Sequence, residues 1–191
     1  MLIRAAHAAG IILLFVAIMH GAAQQAANSS QSAVGLDQLY AGFLGEWVGQ
    51  LQYRDFSDNS NQSLPTWLRV SRSMDGRSLQ FAYVYDDGPS KTVKEMSMVS
   101  IDVSAATMTF TSDRDHSSDT YKIAGLPEFA TKGRGTLTLS GTGTENDQKV
   151  DVRITLTLRR NLHTYQKETR LPGQAFQFRD GYTFTRKDVP Q

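Results

Sequence analysis

From Gly45 onward the apolar residues of this chain recur at every second position, in one short segment after another, as far as Arg186. A period of two puts alternate side chains on one face, the pattern of a strand with a buried side and a wet side. The clearest case is Val150, Val152, Ile154, Leu156 and Leu158, which alternate with Asp151, Arg153, Thr155, Thr157 and Arg159. Trp47, Gly49, Leu51 and Tyr53 alternate in the same way with Val48, Gln50, Gln52 and Arg54, and Leu79, Phe81, Tyr83 and Tyr85 share one face of a later segment. Residues 93–101 are less cleanly patterned, with Met96 and Met98 on one face and Val99 and Ile101 on the other.

Turn chemistry separates these segments. Asp58-Asn59-Ser60-Asn61, Asp75-Gly76, Asp86-Asp87-Gly88-Pro89, Asp113 to Ser118, Thr144 to Gln148 and Pro172-Gly173 all interrupt the alternation with residues that favour tight turns. Leu126 to Lys132 reads as irregular, because Pro127 lies inside it. In the last stretch Phe176, Phe178, Tyr182, Phe184 and Arg186 all fall on even positions and read as one face. The result is about ten strands with no βαβ spacing among them. The expected fold is all-β: an antiparallel up-and-down meander that closes into a barrel, since closure removes the edges. A two-sheet sandwich is the alternative. No internal repeat is visible, which argues against a propeller or solenoid.

The helical signal stands in front of the strands. Leu36, Leu39, Tyr40 and Phe43 are spaced by three and four, one apolar stripe on a short helix, with Asp37 in its first turn, where a negative charge suits the helix dipole. Residues 24–34 are small and polar and read as a flexible leader. Residues 1–23 read as a secretory signal peptide: Arg4 in the basic start, the apolar run Ile11 to Met19, then Gly21 and Ala23 as the small residues before the cut. An uncleaved anchor is the alternative, but the apolar run is well short of the ~20 residues that span a bilayer. The expected location is periplasmic or secreted, with no membrane span after cleavage and the barrel domain at 35–188.

Charge and cysteine content exclude several functions. The formal net charge is +1, and no basic run exceeds two residues, as at Arg159-Arg160, so nucleic acid is not an expected partner. There are no cysteines, hence no disulfides, thiolate nucleophile or cysteine-held zinc.

The segment Phe43-Leu44-Gly45-Glu46-Trp47 resembles the opening of a calycin, the group that includes the lipocalins, and the likeness extends through Tyr83-Val84-Tyr85-Asp86-Asp87-Gly88-Pro89 to Tyr182-Thr183-Phe184-Thr185-Arg186. Across 36–188 the chain is similar to uncharacterised bacterial lipocalin-like proteins. The resemblance implies a helix plugging one end of the barrel, a Gly-x-Trp at the start of the first strand, and a basic residue of the last strand crossing the tryptophan. Trp47 and Arg186 would then be a structural, barrel-closing pair. The lipocalin Thr-Asp motif has no match, since Asp119-Thr120-Tyr121 runs in the other order. The Arg-x-Tyr carboxylate trap of fatty-acid-binding proteins is not matched either, because Arg186 follows the aromatics.

Tyr53, Phe81, Tyr83, Tyr85, Met96 and Met98 are the candidates for lining a cavity: aromatics supply apolar area with a polar tip, and methionine adapts its shape. They could equally fill the barrel. No cofactor or metal is expected. A haem, as in nitrobindin-like relatives, would need His116 or His163 as ligand, and these sit in a polar loop and beside a turn, where most histidines are solvated. Asp113-Arg114-Asp115-His116 matches no metal-loop spacing and reads as a charged turn. Gly-x-Ser-x-Gly, His-Glu-x-x-His and a phosphate loop are all absent. An enzyme would have to use Glu168 or Asp180 with Tyr165. The expected function is an exported protein holding a small, mostly apolar molecule inside the barrel; the alternative is a filled barrel that acts in the envelope or binds proteins.

Overall fold

In the computed structural model of this chain the described residues are 35–55, 58 and 60–187. The expected signal peptide and the 24–34 leader lie outside them. A short helix, α1, occupies residues 35–41. Five strands follow: β1 (Gly45–Arg54), β2 (Asn61–Arg72), β3 (Ser78–Asp86), β4 (Thr92–Asp102) and β5 (Thr107–Ser112). After β6 (Ser118–Ala124) a second helix, α2 (Leu126–Lys132), leads to β7 (Gly135–Glu145), β8 (Gln148–Leu158), β9 (Leu162–Arg170) and β10 (Gln177–Arg186).

Each strand pairs antiparallel with the next, and β1 pairs with both β2 and β10, so the meander closes into a ten-stranded barrel. Closure runs from Trp47 opposite Arg186 to Tyr53 opposite Asp180. Alternation then decides what is inside. On β8, Val150, Val152, Ile154, Leu156 and Leu158 are buried while the intervening residues are half-exposed. Leu137 and Leu139 of β7 and Leu68 and Val70 of β2 face the same interior. Each such side chain contributes roughly 1.5–3 kcal/mol by leaving water.

The helix α1 closes one end. Leu39, Tyr40 and Phe43 are almost wholly buried, with Phe43 against Phe81, Phe129 and His163. The Tyr40 hydroxyl donates to the Arg77 carbonyl at 2.9 Å and accepts from the Ile101 amide at 3.2 Å. Arg72 pairs with Asp37 at 2.7 Å. The helix is thus tied to β2, to β4 and to the β2–β3 turn by polar contacts as well as by its apolar stripe.

Two expectations are corrected. Residues 126–132 are helical, not irregular: Pro127 sits in the first turn, where its missing N–H costs nothing, and Gly125 and Gly133 end the helix in left-handed conformations. Leu126 and Phe129, three apart, bury the inner face. A Cβ on Gly42 would lie 2.1 Å from the Gly133 carbonyl oxygen, so the segment after α1 approaches the end of α2 as only glycine permits. The even positions of the last stretch do not share one face. A bulge between Phe178 and Asp180 inserts Arg179 as an extra residue, so Phe178 pairs with Glu168 and Asp180 with Lys167. Phe178, like Phe176, turns outward, and Asp180, Tyr182 and Phe184 turn inward. Phe176 is stacked outside by Arg153 and Arg170, at 4.2 and 4.4 Å from its ring centre.

Among the described residues no helix is long and apolar enough to cross a membrane.

Candidate ligand-binding site

The two halves of the barrel interior differ. The half under α1 is packed with aromatic rings. Arg186 lies over Trp47 with its guanidinium 4.2 Å from the ring centre, a contact of roughly 0.5–2 kcal/mol. The same guanidinium donates to the carbonyls of Leu44, Gly42 and Arg160, and the Trp47 indole N–H donates to the Phe43 carbonyl at 2.9 Å. These bonds satisfy the chain where it leaves α1 and enters β1.

His163 lies in this half, 3% exposed, inside a box formed by Phe43, Trp47, Phe81 and Phe184. Among the described residues its Nδ1 has no hydrogen-bond partner. Burial, with Arg186 adding positive charge, lowers its pKa to about 4, so the ring is neutral at physiological pH. The expectation of a solvated histidine beside a turn is therefore corrected: β9 places His163, Tyr165 and Lys167 on its inner face. A haem does not fit there. The free space enclosed between His163, Phe43 and Phe81 on one side and the rings of Tyr83, Phe110, Tyr165 and Tyr182 on the other is about 20 Å³, room for about one water, against several hundred for a ligand pocket.

Beyond His163 the interior changes character. Tyr85, Tyr83, Tyr182, Tyr165, Phe110 and Tyr121 form a continuous belt across β3, β10, β9, β5 and β6, with neighbouring ring centres 5.3 to 6.4 Å apart. Tyr83, Tyr165, Tyr182 and Phe110 point inward yet are only half-buried. The barrel wall surrounds them and solvent still reaches them from the open end, so the belt forms the mouth of a funnel whose narrow end, among these same rings and His163, holds about 20 Å³. The Tyr121 ring packs onto Gly141, where a Cβ would come within 2.7 Å of it. Here the β6–β7 ladder runs only over Lys122 to Ala124.

Polar groups converge on this funnel. The Tyr85 and Tyr182 hydroxyls are 2.9 Å apart, and Tyr85 also reaches Glu95 at 3.4 Å. Burial raises the hydroxyl pKa of Tyr83, Tyr165 and Tyr182 well above the ordinary tyrosine range, and pushes Tyr121 up to about 12. All four stay neutral and can both donate and accept hydrogen bonds. Asp180 is half-buried on the inner face of β10. Burial raises its pKa, opposed by Lys167 and Arg179, and no hydrogen bond or ion pair joins its carboxylate to a described residue. At the rim Glu145 pairs with Arg179 at 3.4 Å and accepts from Thr169 at 2.9 Å.

The residues singled out in the sequence divide among these places. Phe81 lies between His163 and Tyr83, Tyr83 and Tyr85 belong to the belt, and Tyr53 stands at the rim opposite Asp180. Met96 and Met98 are on the outer face of β4, paired with Ala82 and Gln80. This is a correction, since the inner positions of that strand are Glu95, Ser97, Val99 and Ile101. Tyr165 and Asp180 come together in the funnel, whereas Glu168 points outward and binds Arg153 at 2.8 Å. Phe110 and Tyr121 were not singled out. Each alternates with threonine or charged residues in a short strand, and that alternation is the signal that marks them as inward. Among the described residues no group of three or more potential metal ligands gathers.

No family model matches the sequence, and no curated protein is similar to it. Its fold is similar to that of a solved S-type phycobiliprotein lyase, CPES, from Guillardia theta. The TM-score is 0.54 at 7% sequence identity, over 81% of this chain and 93% of the lyase. At that identity the likeness concerns the fold alone.

Proposed function

We propose that this protein is exported to the periplasm or beyond and holds a small, mostly apolar molecule in the open half of its barrel. The observation that carries this reading is the aromatic belt. Its half-exposed rings line the end of the barrel that solvent enters, while its hydroxyls and Asp180 supply polar contacts. A few placed polar groups among aromatic walls are the ordinary makeup of a small-molecule site. The packed half under α1 then serves as a rigid floor.

The experiment is native mass spectrometry of the protein taken from its own cells without denaturation. A small molecule released from the barrel supports the reading and identifies the cargo. A clean apo mass that persists when lipids and haem are offered overturns it. A second reading, a filled barrel that binds another protein, has one specific observation in its favour. Trp67 is 45% exposed on the outer face, in a cross-strand row with Val48 and Val84.

A further inference from the structure

Resting on the barrel-binding reading, we infer that the funnel selects organic cations: molecules in which an ammonium or protonated nitrogen heterocycle is attached to a flat apolar body. Three observations support this. The first is geometry. The half-exposed rings of Tyr83, Phe110, Tyr165 and Tyr182 stand together around the open end of the barrel, and a cation is attracted to each aromatic face it meets, most strongly where water is excluded.

The second is the balance of fixed charge. Glu95, Asp119 and Asp180 occupy inward positions on β4, β6 and β10. Lys167 of β9 is the inward cation opposite Asp180, and Arg179 and Glu145 face each other as a pair at the rim. Two more acids than bases remain around the belt. The tyrosines register the same field: the charged groups acting on Tyr83, Tyr85, Tyr121, Tyr165 and Tyr182 are Glu95, Asp119 and Asp180, each adding to the effect of burial.

The third is the state of Asp180. Its carboxylate is half-buried, accepts no bond from a described residue, and lies close enough to act on the hydroxyls of Tyr83, Tyr121, Tyr165 and Tyr182. An ionised carboxylate accepts and cannot donate, and its partial burial disfavours its charge. A ligand N–H or N⁺ placed between it and the tyrosine faces offsets that penalty.

The test is calorimetric titration of the full chain with three probes of similar size: benzyltrimethylammonium, benzyl alcohol and benzoate. The ammonium is expected to bind at least about tenfold more tightly than the other two. Asp180→Asn should weaken ammonium binding about tenfold and benzyl alcohol binding by much less, while Lys167→Gln should tighten ammonium binding by removing a repelling charge. Opposite signs from two neighbouring substitutions cannot come from general damage to the barrel. Glu95→Gln at the more exposed β4 position provides a second loss of negative charge should Asp180→Asn not fold. Benzyl alcohol or benzoate binding as tightly as the ammonium, or Lys167→Gln weakening it, overturns the charge preference while the barrel-binding reading stands. No binding of any probe, together with a clean apo mass from the native protein, overturns both.

Discussion

Tyr85 and Tyr182 meet hydroxyl to hydroxyl at 2.9 Å across the interior, although their strands β3 and β10 are separated in the wall by β2 and β1. The contact is a strut between non-adjacent strands, placed where the packed floor gives way to the open funnel. Removing one hydroxyl leaves the other to water or to a ligand. Tyr85→Phe and Tyr182→Phe are each expected to cost about 1 kcal/mol. Urea unfolding of the two single variants and the double variant measures their coupling. Strictly additive losses would show that the two hydroxyls do not support each other.

His163 makes stability depend on pH. Its pKa is about 4 in the folded protein, below its ordinary value of 6.5. Between those values the unfolded chain binds the proton and the folded chain does not, so stability present above about pH 6.5 is lost as pH falls toward 4. The full effect is about 3 kcal/mol. The measurement is urea unfolding of the wild type and His163→Leu at about pH 8 and about pH 4.5. The variant should lose less on acidification, and a parallel loss in both proteins would remove His163 as the cause. At neutral pH the variant should be no less stable, since it carries no orphan Nδ1.

Arg186 should tolerate replacement poorly even by lysine. Its fork serves the carbonyls of Leu44, Gly42 and Arg160 and covers Trp47, and an ammonium cannot reproduce that planar set. Arg186→Ala is expected to cost about 3 kcal/mol and Arg186→Lys about half of it or more. Thermal unfolding with tryptophan fluorescence reads both the stability and the environment of Trp47. A lysine variant as stable as wild type would show that charge alone matters there.

Gly42→Ala should separate the two helices. The new methyl meets the backbone oxygen of Gly133, which cannot rotate away, so the segment after α1 must shift from α2. A loss of about 1–3 kcal/mol is expected, read as a lowered midpoint in urea. Gly173→Ala is the control for the loss of a glycine as such: it has open space around it but a positive φ of 80°. It should suffer backbone strain without a clash.

Strand existence, the meander and the front helix were legible in the sequence because they follow from local chemistry. Alternation from Trp47 to Tyr53 or from Val150 to Leu158 tells which side chains seek water, whatever the partner strand is. The stripe Leu36, Leu39, Tyr40 and Phe43 similarly announces a buried helix face. The helix α2 was hidden because Pro127 reads as a breaker inside a seven-residue segment, and only the flanking left-handed glycines reveal it as a first-turn proline.

The open half of the barrel was decided by tertiary structure. Which aromatics meet depends on closure and register, and these are long-range pairings. Tyr85 finds Tyr182 only because β1 joins β10 to β2. One extra residue, Arg179, reverses the faces of β10, sending Phe178 out and turning Asp180 into the funnel. On β9 a strand that looks polar has His163 and Tyr165 inside, and on β4 the greasier pair, Met96 and Met98, is outside. Hydrophobicity sets how many faces must be buried, and that much the residues determined by themselves. Where a strand is flanked by similar faces, its register with both neighbours chooses the inner one, and that choice is made only when the barrel closes.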